Sequence, residues 1–460
     1  MTYRNVVCIY PYYQEVPVYE FFPPLGLEYV AAAIEDLVGD VQVYDLRYEK
    51  HFDRATGGGA DLFCVSVNWP YEYESVCRVI RSLPPDVTTV LGGKFVTANV
   101  EEFFEECPNV DVIVRGDGEE TIREFVEKGS PVGVAGLSYR EGGRVVHNEN
   151  RNLAPVSNTL FPNRKRRRYK YKVSFQHVGL GYTFDSMLSS QGCPFNCKFC
   201  SFKLNPLGQK RDWSSRTPES VVAELHEIDA RAVAFLDDNF FADIKRVERI
   251  CDLIVEEGIK KIFFANARIS ISKHPRLLEK MYRAGFRLLM IGLESAQDKS
   301  LKQLEKGFKT ADVHKAFAVL RETGMLTNGY FIVGLMGETE EEMLEIIPYA
   351  KAIGIDLISP NRLRYEKYSG LALMLEQNDD YYVGEGNRIY SKQYGPADIN
   401  RIVKRISSGF FDKGQVWSIV KKGLRIGFPG WIFYFHLIFG LPRIVLRAKR
   451  HRSHRRAAAT

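Results

Sequence analysis

Short runs of Val, Ile and Leu alternate with stretches of helical periodicity over most of this chain. Between residues 5 and 128 the apolar runs 6–10, 41–46, 61–67, 87–91 and 110–114 predict strands, and the segments 25–37, 72–82, 99–106 and 119–127 predict helices. Near-continuous apolar strands separated by helices predict a parallel sheet covered on both faces. Ligands of such sheets bind beyond the carboxyl ends of the strands. The candidate ligand loops are therefore 11–24, 68–71, 92–97 and 115–119.

The pattern changes at about residue 131. A small hairpin is predicted over 136–147 around Gly142-Gly143, followed by a proline-containing basic stretch, and residues 131–183 read as a linker. Alternation then resumes, with strands predicted at 184–189, 232–236, 261–265, 288–293, 329–333 and 357–359. The intervening helices fall at 218–229, 243–257, 275–284, 310–323 and 339–353. Six β/α units in succession predict a partial (β/α)6 barrel over 184–375, whose chemistry gathers where the strands end. Residues 376–460 are less regular and are expected to be mainly helical. The domain reading is thus 1–130, 131–183, 184–375 and 376–460, all within an α/β fold.

Composition changes this picture little. Among 460 residues, 45% are hydrophobic and 26% charged, ordinary for globular domains. The net charge of +6 is too small to imply nucleic acid, which is not expected as a partner. The basic residues are nevertheless clustered. Arg164, Lys165, Arg166, Arg167 and Arg168 form one run, expected to be a solvated linker. A second run, Arg443 to Arg456, follows an apolar aromatic segment at 427–446 that contains Trp431, Tyr434 and His436. Two prolines interrupt that segment, so it is short for a membrane span. It suits either an interfacial anchor on an anionic membrane or a core helix. The start of the chain has no apolar stretch behind a basic residue and no small-residue cleavage site, so no secretory signal is expected. The expected location is cytoplasmic, with peripheral contact to the inner membrane surface as an option.

Of the eight cysteines, Cys8, Cys64, Cys77, Cys107 and Cys251 are scattered and read as small buried hydrophobes. The other three form Cys193-Pro-Phe-Asn-Cys197-Lys-Phe-Cys200, directly after the first barrel strand. Three thiolates on one short loop can hold three irons of a cubane and leave the fourth open. Zinc would ask for a fourth protein ligand, and no further Cys or His lies close in sequence.

This CxxxCxxC pattern, with the aromatic Phe199 beside its last cysteine, resembles the radical S-adenosylmethionine (SAM) superfamily. The resemblance implies a [4Fe–4S] cluster on Cys193, Cys197 and Cys200 whose open iron chelates the amino and carboxylate groups of SAM. It further implies reductive cleavage of SAM to a 5′-deoxyadenosyl radical, with an electron donor such as flavodoxin or ferredoxin. Strand-end residues extend the likeness. Asp237-Asp238-Asn239 stands where the family contacts the SAM amino group, though its usual Gly-Gly-Glu is replaced; a helix cap is the other reading. Arg268 could pair with the SAM carboxylate or form a structural salt bridge. Glu294 resembles the family's polar residue beside the SAM ribose or methionine, and the turn at Gly334 its adenine-side loop.

The first domain resembles the cobalamin-binding domain found ahead of many radical SAM cores. The likeness rests on Pro23-Pro24-Leu25-Gly26 and on the stretch from Leu91 to Phe125. Gly92, Gly93, Gly116 and Gly118 would let backbone approach a flat cofactor. The Asp-x-His-x-x-Gly motif that supplies a cobalt ligand elsewhere is missing, and His51 does not match it. Together the resemblances imply a cobalamin-dependent methyltransferase acting on an unactivated carbon, and the apolar aromatic segment with its basic run points to a hydrophobic substrate such as a lipid, isoprenoid or tetrapyrrole. Alternatives of the same architecture are oxidative cyclisation, as in the anaerobic Mg-protoporphyrin ester cyclase, or another C–H functionalisation. Methylthiolation of RNA or protein fits less well, because the N-terminal cysteines are scattered. A binding protein with a vestigial cluster is opposed by the intact triad.

Overall fold

The computed structural model describes residues 3–13, 22–49, 59–175, 178–200, 202 and 204–427. Residues 428–460, with Trp431 and Tyr434 and the second basic run, lie outside them, as do His51 and much of the 11–24 loop.

The first sheet comprises β1 (Asn5–Tyr10), β2 (Asp40–Asp45), β3 (Leu62–Ser66), β4 (Thr88–Gly92), β5 (Val112–Val114), β6 (Leu137–Glu141) and β7 (Arg144–His147). Their order is β2-β1-β3-β4-β5-β6-β7. Strands β1 to β5 run parallel, with β1 and β3 buried at nearly every position, as helices on both faces require. The hairpin expected in a linker instead pairs antiparallel with β5 and extends this sheet. Arg115, at the end of β5, holds it there by donating to the Leu137 carbonyl and to Asn150. A helix at Lys94–Ala98, not expected from periodicity, precedes the expected one at Val100–Glu106.

The second sheet begins with the antiparallel pair β8 (Lys172–Phe175) and β9 (Val178–Met187). A short ladder of β10 (Ser190–Gln191) and β11 (Ser214–Ser215) follows. Then come β12 (Ala232–Phe235), β13 (Ile262–Ala267), β14 (Phe286–Glu294), β15 (Leu326–Val333) and β16 (Leu357–Arg362). The order β16-β15-β14-β13-β12-β9-β8 holds six parallel strands in sequence, with β8 an antiparallel addition at one edge. Alternation divides each strand. Val233, Phe235, Phe263, Ala265, Leu289 and Ile291 point outward into the largest apolar core, where the helices pack. The helix expected over 339–353 breaks at Glu345 into Glu340–Leu344 and Ile346–Ile353. Beyond the barrel lie a hairpin, β17 (Tyr381–Gly384) and β18 (Arg388–Ser391), and helices Pro396–Phe410 and Lys413–Arg425.

The basic run does not behave as a solvated linker. Arg167 is nearly buried and grips both domains at once. It donates to Asp185 of β9 at 2.7 and 2.9 Å and to Glu28 of helix Leu25–Ile34 at 2.6 Å. Arg164 bonds the same Asp185 at 2.9 Å and Glu224 at 2.7 Å. Arg166 pairs with Glu35 and Asp40, both at 2.7 Å. The carboxylates that convert a charge run into a clamp are distant in sequence, so the run alone gives no sign of them.

Removing one partner from a buried charge network leaves the others uncompensated, at a cost of about 3–5 kcal/mol. Arg167→Ala should therefore lower the thermal midpoint markedly and expose the 148–172 region to protease. Arg168→Ala should change stability by less than about 1 kcal/mol, because half of that side chain is exposed. Calorimetry and limited proteolysis of the two variants test this; equal losses would remove the clamp from the argument.

Candidate functional site

Two sets of strand ends face one another across the domain boundary. On the first sheet, Gly92 and Gly93 end β4, and Gly116 and Gly118 lie between β5 and helix Glu119–Lys128. All four line an open cavity together with Gly26, Asn68 and Lys94. The opposite wall comes from the barrel: Phe202, Leu204, Asn205, Pro206, Arg211 and Asp238. Gly93 has φ +109°, and a Cβ there would stand 2.6 Å from the Val67 carbonyl oxygen. A Cβ on Gly118 would stand 3.0 Å from Val30. These are conditions under which backbone rather than side chain faces a flat ligand. Arg211 closes the seam with two hydrogen bonds of 2.6 Å to Asp117. The cavity thus fits a macrocycle laid against backbone, with Asp238, Glu119 and Lys94 as polar contacts.

The cysteine loop leaves β10 through Gly192, whose φ is +79° and whose Cβ would lie 2.7 Å from the Asp212 carbonyl oxygen. Cys193, Cys197 and Cys200 are all half-buried. Burial pushes the Cys200 thiol up to about 12, with its two sister sulfurs adding to the shift. Polar groups are aimed at the sulfurs. Arg268 Nη1 lies 3.5 Å from Cys197 Sγ, Asn239 Nδ2 3.8 Å from Cys193 Sγ, and the Phe202 amide 3.5 Å from Cys200 Sγ. Such donors stabilise sulfur-borne negative charge, as a cluster thiolate requires. Among the described residues no three His, Cys, Asp or Glu side chains converge on a single-ion position. The donor set fits a cluster with one iron per thiolate.

The strand-end residues divide sharply. Asp237 is fully buried and is satisfied by the Ser189 amide at 2.8 Å and the Ser189 hydroxyl at 2.6 Å, with Ser190 as a third donor. It braces the cysteine loop from beneath and cannot reach a ligand, which corrects its place in the expected SAM-contact group. Asp238 accepts from the Gly192 amide at 2.8 Å and faces the cavity, with its carboxyl pushed up to about 6, chiefly by burial. The helix-cap reading fails for all three, since Asp243 caps helix Ile244–Glu256. Among the described residues Arg268 pairs with no carboxylate. It donates to the Lys306 carbonyl at 2.6 Å and lies 3.8 Å over the Phe195 ring.

Glu294 ends β14 with φ +68°, an uncommon conformation for a non-glycine residue, at a register shift beside Gly292. Its carboxylate pairs with buried Lys306 at 2.7 Å, and Lys306 Nζ stands 5.4 Å from the centre of the Phe199 ring. Lys306 was not foreseen; twelve residues separate it from Glu294, in a turn without periodicity. Gly334 has φ +87°, and a Cβ there would stand 3.0 Å from Ile399 of helix Pro396–Phe410. Beside it Glu338, buried and with its carboxyl raised by desolvation, accepts from Ser295 at 3.0 Å and Ser300 at 2.8 Å. The sites expected for a cluster, for SAM and for a corrinoid therefore adjoin along one seam.

Comparison with known proteins agrees with this division. Residues 187–350 match the Radical SAM superfamily and residues 16–126 match the B12 binding domain. An uncharacterized methyltransferase of Pyrococcus horikoshii is 28% identical over 86% of this chain and 89% of its own length. The anaerobic magnesium-protoporphyrin IX monomethyl ester cyclase of Cereibacter sphaeroides is 26% identical over 74% of this chain, which spans 58% of that enzyme. Among solved structures, the radical SAM methyltransferase TsrM of Kitasatospora setae, with cobalamin and a [4Fe–4S] cluster bound, superposes with a TM-score of 0.66. It covers 90% of this chain and 82% of its own at 17% identity, a likeness of fold.

Replacing Cys193, Cys197 and Cys200 with Ala should abolish the cubane absorption and paramagnetic signals of anaerobically reconstituted protein, and a full cluster on the triple variant would overturn the assignment. Gly93→Ala should cost at least about 1–2 kcal/mol, because an L-residue is strained at this φ, and should reduce retention of hydroxocobalamin in equilibrium dialysis.

Proposed function

A B12-binding domain followed by a radical SAM domain makes this chain a cobalamin-dependent radical SAM enzyme, and on that premise we propose that it methylates an unactivated carbon of a hydrophobic small molecule. The observation that carries the reading is the shared cavity wall. Phe202 and Asp238, one just past the cysteine loop and the other hydrogen-bonded to its first glycine, line the same space as Gly92, Gly93, Gly116 and Gly118. A methyl donor seated on the glycines would lie beside the place where SAM is bound.

The cluster with SAM supplies, when bound, a species that takes hydrogen from carbon, and the corrinoid supplies the methyl group. The chain's own contribution is positioning and charge. Arg268 and Asn239 direct donors at the sulfurs and favour their anionic form. Arg268 keeps one face on Phe195 and is the cation available to the SAM carboxylate. Asp238 and Asn239 are the polar groups available to its ammonium. Glu294 and Lys306 neutralise one another, so the floor beside Phe199 presents no net charge. Gly334 and its turn would receive the adenine side. A hydrophobic substrate is supported by the cyclase likeness, since that enzyme is named for a tetrapyrrole ester. Flavodoxin or ferredoxin would supply the electron. Among the described residues no helix is long and apolar enough to cross a membrane; attachment through residues 428–460 remains a proposal, testable by flotation with anionic liposomes in low and high salt.

The reaction class is decided by products. Reduced, cluster- and cobalamin-loaded protein given an apolar cell extract and methyl-deuterated SAM should form 5′-deoxyadenosine and S-adenosylhomocysteine together, with label entering the apolar fraction. 5′-Deoxyadenosine without S-adenosylhomocysteine or transferred label would replace methylation by cyclisation or another C–H functionalisation.

A further inference from the structure

Among the described residues the middle of the concave face of the half-barrel carries no charged side chain; Asp238, Arg268 and the Glu294–Lys306 pair stand at its C-terminal rim. Alternation places Phe184, Ser186, Ala232, Ala234 and Leu236 inward on the first two parallel strands. Opposite them, the inward positions of β13 and β14 are Phe264, Asn266, Leu288 and Met290. None is Asp, Glu, Lys or Arg, whereas Asp185, pointing the other way, is engaged by Arg164 and Arg167. Toward the N-terminal ends of the strands this face is plugged, with Tyr171, Phe184 and Leu326 buried together. Leu288, level with Leu326, and Leu236 and Met290, further toward the ends that carry the site, are only half-buried. Half-exposed apolar side chains on the inner face of an open sheet are a surface that still has area to bury.

Polarity on this face is sorted by strand. The centre, β12 to β14, is apolar below the charged strand ends, apart from Asn266. The edge, β15 to β16, carries neutral hydrogen-bonding groups. Asn328 and Ser359 bond one another at 3.1 Å, and Asn361 donates to the Ser359 carbonyl. Tyr330, next to them in register, directs its hydroxyl at Met290 Sδ at 3.3 Å and joins the two zones. Strand β16 is an edge of the sheet, and in this polar zone Asn328 is buried while Ser359 is half-buried.

We propose that the substrate is an uncharged amphiphile whose apolar skeleton lies on Leu236, Leu288 and Met290 and whose single hydroxyl or carbonyl oxygen meets Asn328 and Ser359 at the open edge. This deepens the methyltransferase reading and rests on it for the role of the ligand. A carboxylate or phosphate in the same place would lose its hydration against amides and a hydroxyl, and the cation nearest that place, Lys306, is already paired with Glu294, so the exchange is unfavourable. An alcohol would replace water bonds with bonds to Asn328 and Ser359, while the skeleton loses apolar surface to the floor.

The test uses cluster- and cobalamin-loaded full-length protein and three probes of one skeleton, a fluorescent steroid alcohol, its carboxylate counterpart and the parent hydrocarbon, titrated anaerobically. The alcohol should bind at least tenfold more tightly. Met290→Lys should weaken the alcohol at least tenfold while leaving the cluster's paramagnetic signal and cobalamin content unchanged. Ser359→Ala, a milder change, should reduce the preference for the alcohol over the parent hydrocarbon. Equal or tighter binding of the carboxylate, or unaltered alcohol binding in both variants, overturns the proposal. Because these readouts are of binding, they stand apart from the product assay: label transfer to a charged acceptor would refute the substrate class alone, and absence of S-adenosylhomocysteine would refute methylation alone.

Discussion

Asp185 sits where the two halves of the molecule meet, and the site depends on how it is satisfied. A carboxylate on the first strand of the parallel series, pointing away from the barrel interior, would be costly to bury alone. Arg164 and Arg167 neutralise it, and each carries a second bond elsewhere, to Glu224 within the barrel and to Glu28 on the first domain. The shared anion fixes the first helix of one domain against the first strand of the other. With that edge fixed, the glycine-lined ends of β4 and β5 come to face the cysteine loop, and Arg211 reaches Asp117. The geometry of the chemistry is inherited from a salt-bridge network built into what reads as a connector.

The cysteine loop is itself braced rather than merely tethered. Asp237 gathers the Ser189 amide and the Ser189 and Ser190 hydroxyls beneath it, and Asp238 holds the Gly192 amide. Two successive carboxylates thus do different work. One is spent wholly on the scaffold. The other, with its proton affinity raised by burial, faces the ligand space. Their separation follows from strand alternation continued beyond Phe235, the last residue of β12.

The sequence makes the architecture legible where order is local. The strands and their spacing, the cysteine loop and the glycine turns all appear as short patterns, because each is a decision made within about ten residues. What it conceals are pairings across distance. Arg167 and Glu28 are 139 residues apart, so the basic run looks like a solvated linker until the fold supplies its anions. The hairpin at 137–147 looks like part of the same linker because its partner is the three-residue strand β5. Lys306 carries no periodic signal and becomes visible only beside Glu294. Asp237 and Asp238 are adjacent and chemically identical, and only burial tells the scaffold carboxylate from the ligand-facing one.

The seam between the domains also links occupancy to shape. A ligand that touches both walls of the cavity binds only the arrangement in which the walls are opposed, and so stabilises that arrangement by an amount that grows with the logarithm of its concentration. In these terms a corrinoid seated on the glycines would be a component of the interdomain interface, added to the Asp117–Arg211 pair and the Arg167 clamp. Its supply would then add to the hold that the clamp already has on the two strand-end surfaces rather than create it.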